Sequence, residues 1–108
     1  MAVVVFVTAK EENAERIALE IVNKRLAACV NIVPSVTSIY WWQGKLERDK
    51  ESLLIIKSDE KVLERLVDAI KKVHSYTLPE IIAMKIVGGS EEYIKWVKET
   101  LLDESGGH

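Results

Sequence analysis

The 108-residue sequence predicts an α+β domain with the split-βαβ, ferredoxin-like layout: βαββαβ followed by one extra C-terminal helix. Three observations carry that expectation. Short β-rich apolar runs alternate with stretches whose apolar residues recur at helical spacing. A Gln-Gly pair stands between two of the runs, where a tight turn is needed. No low-complexity tract, repeat or linker divides the chain before its last few residues.

The elements follow in order. Val3-Val4-Val5-Phe6-Val7 reads as a first strand. Thr8 and Glu11 have the spacing of a capping box, and the helix they would open carries Ala14, Ile17, Ala18, Ile21, Val22 and Leu26 on one stripe. A second strand region runs from about Ala28 to Trp42, made irregular by Pro34, which cannot donate to a central ladder. Gln43-Gly44 supplies the turn, and a third strand ends in Leu53-Leu54-Ile55-Ile56, with Lys57 as its terminus. Ser58 is the expected cap of a helix whose inner face is Val62, Leu66, Ala69, Ile70 and Val73. After Pro79 comes a strand over 81–87. Gly88-Gly89 ends it, and Ser90 with Glu91 and Glu92 starts the last helix, bearing Ile94, Val97 and Leu101. One domain over 1–103 and a flexible tail over 104–108 complete the expectation.

Several strands are apolar at consecutive positions, although a sheet with one face in water should alternate. Residues 3–7, 53–56 and 81–84 are greasy on both faces, and Tyr40, Trp41 and Trp42 project to both sides of one strand. A monomer rarely exposes so large an apolar patch, so the pattern predicts a homo-oligomer built through the sheet, with Tyr40, Trp41 and Trp42 in the interface. The alternative is that the C-terminal helix alone covers the second face.

Composition removes several functions. With 15 basic and 17 acidic residues, the chain lacks the basic excess that nucleic acid requires. No apolar run approaches the roughly 20 residues of a membrane span, and the N-terminus has no signal-peptide pattern. Cys29 is the only cysteine, which fits a reducing, cytoplasmic setting. Scarce Asn and Gln beside plentiful Lys and Glu give a weak thermophilic bias. Gly-rich phosphate loops and the nucleophile elbow are absent, no organic cofactor is indicated, and no nucleophile–base pair marks an enzyme.

What is left is a short set of candidates, each with a bland counterpart. His74 is the one histidine inside the fold, a candidate metal ligand or simply a hydrogen-bonded residue at a helix end. Cys29 is a soft ligand or a small buried hydrophobe. Glu47, Asp49 and Glu51 alternate along a strand, either as oxygen ligands for a hard cation or as an ordinary solvated edge. Lys57 is an anion contact or a surface charge, and Trp41 with Trp42 a ligand platform or interface packing.

Three segments then identify a resemblance. Residues 25–31 (Arg-Leu-Ala-Ala-Cys-Val-Asn), 38–47 (Ser-Ile-Tyr-Trp-Trp-Gln-Gly-Lys-Leu-Glu) and 74–82 (His-Ser-Tyr-Thr-Leu-Pro-Glu-Ile-Ile), in register over 3–102, closely resemble the CutA family of divalent-cation tolerance proteins. The resemblance implies a tight homotrimer similar to the PII signalling proteins, and a cytoplasmic role in tolerance to copper and other divalent cations. It implies no reaction. Its His-Pro-Tyr segment falls on His74-Ser75-Tyr76, with Ser75 in place of proline. Val73 and Val7 stand where some copper-binding relatives have a second histidine and a cysteine. The implied metal residues are therefore His74, Cys29 and Glu80, binding Cu(II) or another divalent cation. Trp42, Lys57 and Tyr76 would line an inter-subunit cleft for a small anion or metabolite. A scaffold that docks an unknown protein partner is the third expectation.

Overall fold

The computed structural model describes residues 1–102; the tail expected over 104–108 and the end of the domain at 103 lie outside the described residues. The chain forms β1 (Ala2–Ala9), α1 (Glu11–Asn23), β2 (Cys29–Trp42), β3 (Lys45–Asp59), a 3-10 turn (Glu60–Val62), α2 (Leu63–Val73), β4 (Ile81–Lys85) and α3 (Glu91–Thr100). All strand pairs are antiparallel, in the order β2-β3-β1-β4. This is the predicted βαββαβ arrangement with its extra helix.

One sheet face is the core. Val3, Val5 and Val7 of β1 and Leu54 and Ile56 of β3 meet Ile17 and Ile21 of α1 and Leu66 and Ile70 of α2. All but Val3 are wholly buried, and each such side chain contributes about 1.5–3 kcal/mol. The period-2 burial along β1 and the helical stripes are the same pattern seen from two elements. On the stripe expected for α1, Val22 is 39 % exposed, and Leu26, though buried, lies past the end of the helix at Asn23.

Two of the three expected helix starts are corrected. Strand pairing continues through Thr8 opposite Leu53 and Ala9 opposite Ser52, so Thr8 belongs to β1 and the capping box does not form. Lys10 precedes α1 without a side-chain cap. At the second helix, β3 likewise runs on past Lys57 to Asp59, and Ser58 is buried in the sheet, its hydroxyl donating to the Leu26 carbonyl at 2.7 Å. Asp59 takes the cap, accepting from the Lys61 amide. A ladder hydrogen bond together with a buried face outweighs a single capping bond. The last strand is also shorter than expected, ending at Lys85.

The other predictions from turn chemistry hold. Gln43 and Gly44 both have positive φ, 49° and 79°, as a two-residue hairpin turn demands. The β2–β3 register breaks between Val33 and Val36, at Pro34-Ser35. Ser90 caps α3 through the Tyr93 amide.

Two features of the sheet bear on function. First, β1 stops at Ala9 opposite Ser52, so residues 36–42 and 45–51 continue as a ribbon of two strands, with no third among the described residues. Second, the face turned away from α1 and α2 is apolar. Val4, Phe6, Leu53 and Ile55 line it, with Ile82 and Met84 still 52 % and 46 % exposed. Helix α3 packs against β3 and β1 with Tyr93 beside Cys29, and leaves Ile82 and Met84 half-exposed. It does not cover the face alone.

Candidate functional site

His74 ends α2 as its C-terminal cap and is 9 % exposed. Both ring nitrogens are committed. The Tyr76 amide donates to Nδ1 at 3.1 Å, and Nε2 lies 2.7 Å from the Thr8 carbonyl. An amide can only donate and a carbonyl can only accept, so Nδ1 is bare and Nε2 carries the proton. The rings of His74 and Tyr76 stand 4.6 Å apart. Asn13 of α1 adds a bond to the Val73 carbonyl, 3.4 Å, and holds the end of α2 from the other side.

Tyr76 carries the network onward. Its hydroxyl donates to Glu51 Oε2 at 2.5 Å, and Glu51 is only 5 % exposed. A carboxylate buried to that degree needs a strong partner, and the phenol supplies it. Burial, then the Glu51 bond, hold the Tyr76 hydroxyl well above the usual phenol range. On the ribbon beyond, the Tyr40 hydroxyl bonds Asp49, which pushes Tyr40 up to about 12. The alternating acidic strand is thus not simply a solvated edge: Asp49 and Glu51 each hold a tyrosine, although Glu51 carried no more weight in the sequence than its neighbours. The signal for it would have been a tyrosine two residues past the histidine, facing a strand carboxylate.

Cys29 lies elsewhere. It pairs with Lys57 in the ladder, on the apolar face. Lys57 Nζ is 3.9 Å from its sulfur and also bonds the Asn31 side chain. Burial first, and the thiol beside it second, raise the Tyr93 hydroxyl above its ordinary range. Four β3 positions separate the Lys57 level from Leu53, which pairs with Thr8 beside His74. Cys29 and His74 are therefore roughly 13 Å apart along the strand. Glu80 is exposed just before β4.

His74, Cys29 and Glu80 do not converge within one chain. Among the described residues no three of His, Cys, Asp and Glu are placed to hold a metal ion together. Within one chain His74 is also occupied: a metal at Nδ1 would have to take the place of the Tyr76 amide, and one at Nε2 the place of the Thr8 carbonyl. The expected cleft residues are also spread out. Trp42 is at the ribbon tip, Tyr76 at its root and Lys57 deep in the sheet, a span of roughly 40 Å along β3. Tyr40, Trp41 and Trp42 are all exposed on the ribbon, at 39 %, 72 % and 40 %. Trp41 pairs with Leu46, and with Ile39 they make an apolar face opposite the Tyr40–Asp49 side.

Comparison with known proteins supports the geometry. Residues 2–100 match the sequence profile described as "CutA1 divalent ion tolerance protein". The chain is 46% identical over 97 residues to the divalent-cation tolerance protein CutA of Thermus thermophilus, covering 90% of this chain and 94% of that one. It is similar to a solved structure of the Thermus thermophilus divalent cation tolerance protein with a TM-score of 0.91, at 46% identity and covering 94% and 99% of the two chains. It is also similar to a "PII-like protein CutA" from Nostoc, with a TM-score of 0.86, 34% identity and coverage of 91% and 95%. Against the rice chloroplastic CutA 1 it is 46% identical over 92% of its own length, yet it spans only 56% of that relative; it covers about half of the plant and mammalian proteins it matches. No helix among the described residues is long and apolar enough to cross a membrane. By sequence and by fold, the chain belongs to the CutA1 divalent ion tolerance family.

Proposed function

We propose that the protein acts as a homotrimer in divalent-cation tolerance, in the cytoplasm, as a binding protein and not an enzyme, with its ligands held between subunits. One observation carries this reading: a ribbon with an exposed Ile39, Trp41 and Leu46 face projects beyond an apolar sheet face, and among the described residues nothing covers the ribbon face or the Ile82 and Met84 part of the sheet face. Cu(II) or a related cation, on this reading, is shared between chains, because His74, Cys29 and Glu80 of one chain stand apart.

Calorimetric titration of Cu(II) into chelator-treated protein tests it, with His74→Ala, Cys29→Ser and a chain ending at Leu102 alongside. The expected result is saturable binding that is retained after truncation, which removes His108, and lost in His74→Ala or Cys29→Ser. Binding that survives both substitutions, or that is lost with the tail, overturns the shared site.

A second reading rests on Lys57. Its ammonium group sits on the apolar face beside Asn31, Cys29 and Tyr93, a setting suited to a small anion in a cleft. The likeness to a PII-like relative supports the same class. A saturable rise in melting temperature with nucleotides or organic anions, lost in Lys57→Ala, is its expected outcome; a flat panel counts against it.

A further inference from the structure

The root of the ribbon is gripped from both sides. On β2, Ser35 sits in the register break with φ 58°, a left-handed conformation that a serine adopts at a cost. Its amide and its hydroxyl both donate to Glu11 Oε1, at 2.9 and 3.0 Å. Glu11 is the first residue of α1, so one carboxylate at the start of a core helix holds the bulge in place. On β3, Glu51 accepts from Tyr76, and Tyr76 is in turn fixed by His74, which is tied to Thr8 of β1. Val36 pairs with Glu51, so the two contacts meet the ribbon at one level, at the point where β1 gives out.

We propose that these contacts are a pair of latches, Glu11 on Ser35 and Tyr76 on Glu51, that set the direction in which the ribbon leaves the sheet and so make it an arm with a defined hinge. An unsupported two-stranded ribbon twists and bends freely, and a bulge adds a further bend. Nothing in the ladder fixes the angle, because beyond Ser52 the ladder is β2 and β3 alone. The latches tie each strand of the ribbon to a different part of the rigid core: β2 to α1, and β3 through Tyr76 and His74 to β1. His74 is a positioning residue in this device. Because the apolar Ile39, Trp41 and Leu46 face rides on the arm, its direction decides what that face can meet.

Hydrogen exchange read by mass spectrometry on the full chain tests the device, comparing wild type with Glu11→Gln, Tyr76→Phe and the double variant. Glu11→Gln weakens its latch by removing the charge, and Tyr76→Phe removes the other while keeping the ring. The expected result is at least tenfold faster exchange over 36–51 in the double variant, less in each single one, with β1, α1 and α2 unchanged. Ser35→Gly keeps the amide latch and relieves the positive φ, and should leave the arm as in wild type. Unchanged exchange over 36–51 overturns the proposal, as does acceleration spread evenly over the core, which would mean general destabilisation. Sedimentation of the same samples separates this from the assembly reading: a change in mass with unchanged arm exchange counts against the latches and not against the trimer.

Discussion

Tyr76 shows how one hydroxyl ties a connection to a strand. It leaves its proton on the phenol because burial and the Glu51 carboxylate both oppose a second negative charge. Tyr40, half-exposed on the ribbon, does the same, chiefly through its hydrogen bond to Asp49. The consequence for stability has a definite sign. In the unfolded chain tyrosine ionises near its ordinary value of 10.0, while the folded groups hold their protons to higher pH. Above about pH 10 the unfolded state therefore binds fewer protons, and stability falls as pH rises. The contribution is complete below that pH and is lost towards the folded values. Denaturant midpoints from about pH 9 to 12 should decline in the wild type. The decline should be shallower in Tyr76→Phe, and an equal slope in the variant would show that Tyr76 is not the group responsible.

Among the elements, the hairpin turn is the plainest case of sequence dictating geometry. Gly44 has φ 79° with open space where a Cβ would stand, so an alanine there meets no atom and costs only backbone strain. Gly44→Ala should lower stability by about 1 kcal/mol, read as a shifted guanidinium midpoint at constant m. Gln43, at φ 49°, works in the opposite direction: Gln43→Asn should raise the midpoint slightly, since asparagine tolerates that region better. Such turns were legible because the constraint is local to two residues. The helix starts were less so. Thr8–Glu11 and Ser58 looked like caps because capping is also local, but the choice between cap and strand was made by Leu53 and Leu26, more than thirty residues away in each case. The same reasoning explains the site. His74 and Tyr76 stood out as residue types, whereas their partners Thr8 and Glu51 are separated from them by 66 and 25 positions and carry no signature of the pairing. Glu11 is legible as an acidic residue in a first helical turn, not as the partner of a bulge in another strand.

For the whole molecule, the question is what the arm and the open sheet face are for. A two-stranded ribbon is marginal by itself in water, and Trp41 at 72 % and Leu46 at 64 % exposure would make this one a site for aggregation. The sheet face with Ile82 and Met84 is a second apolar surface on the same chain. These are two different patches, so contact between the arm of one chain and another surface of the next is head-to-tail. Such contacts either close a ring or run on as a filament. A defined arm direction favours closure, and a ring of three is what the family resemblance implies. Sedimentation equilibrium should therefore give three times the 12.2 kDa chain mass. Trp41→Glu with Leu46→Glu places two carboxylates on the apolar face of the arm without touching Tyr40, Asp49 or the latches. That variant should sediment as a monomer and lose much of its thermal stability, since an arm without a surface to lie on returns its buried area to water. If it still sediments as a trimer, the subunits are held by the sheet face, and the arm is free to engage a different partner.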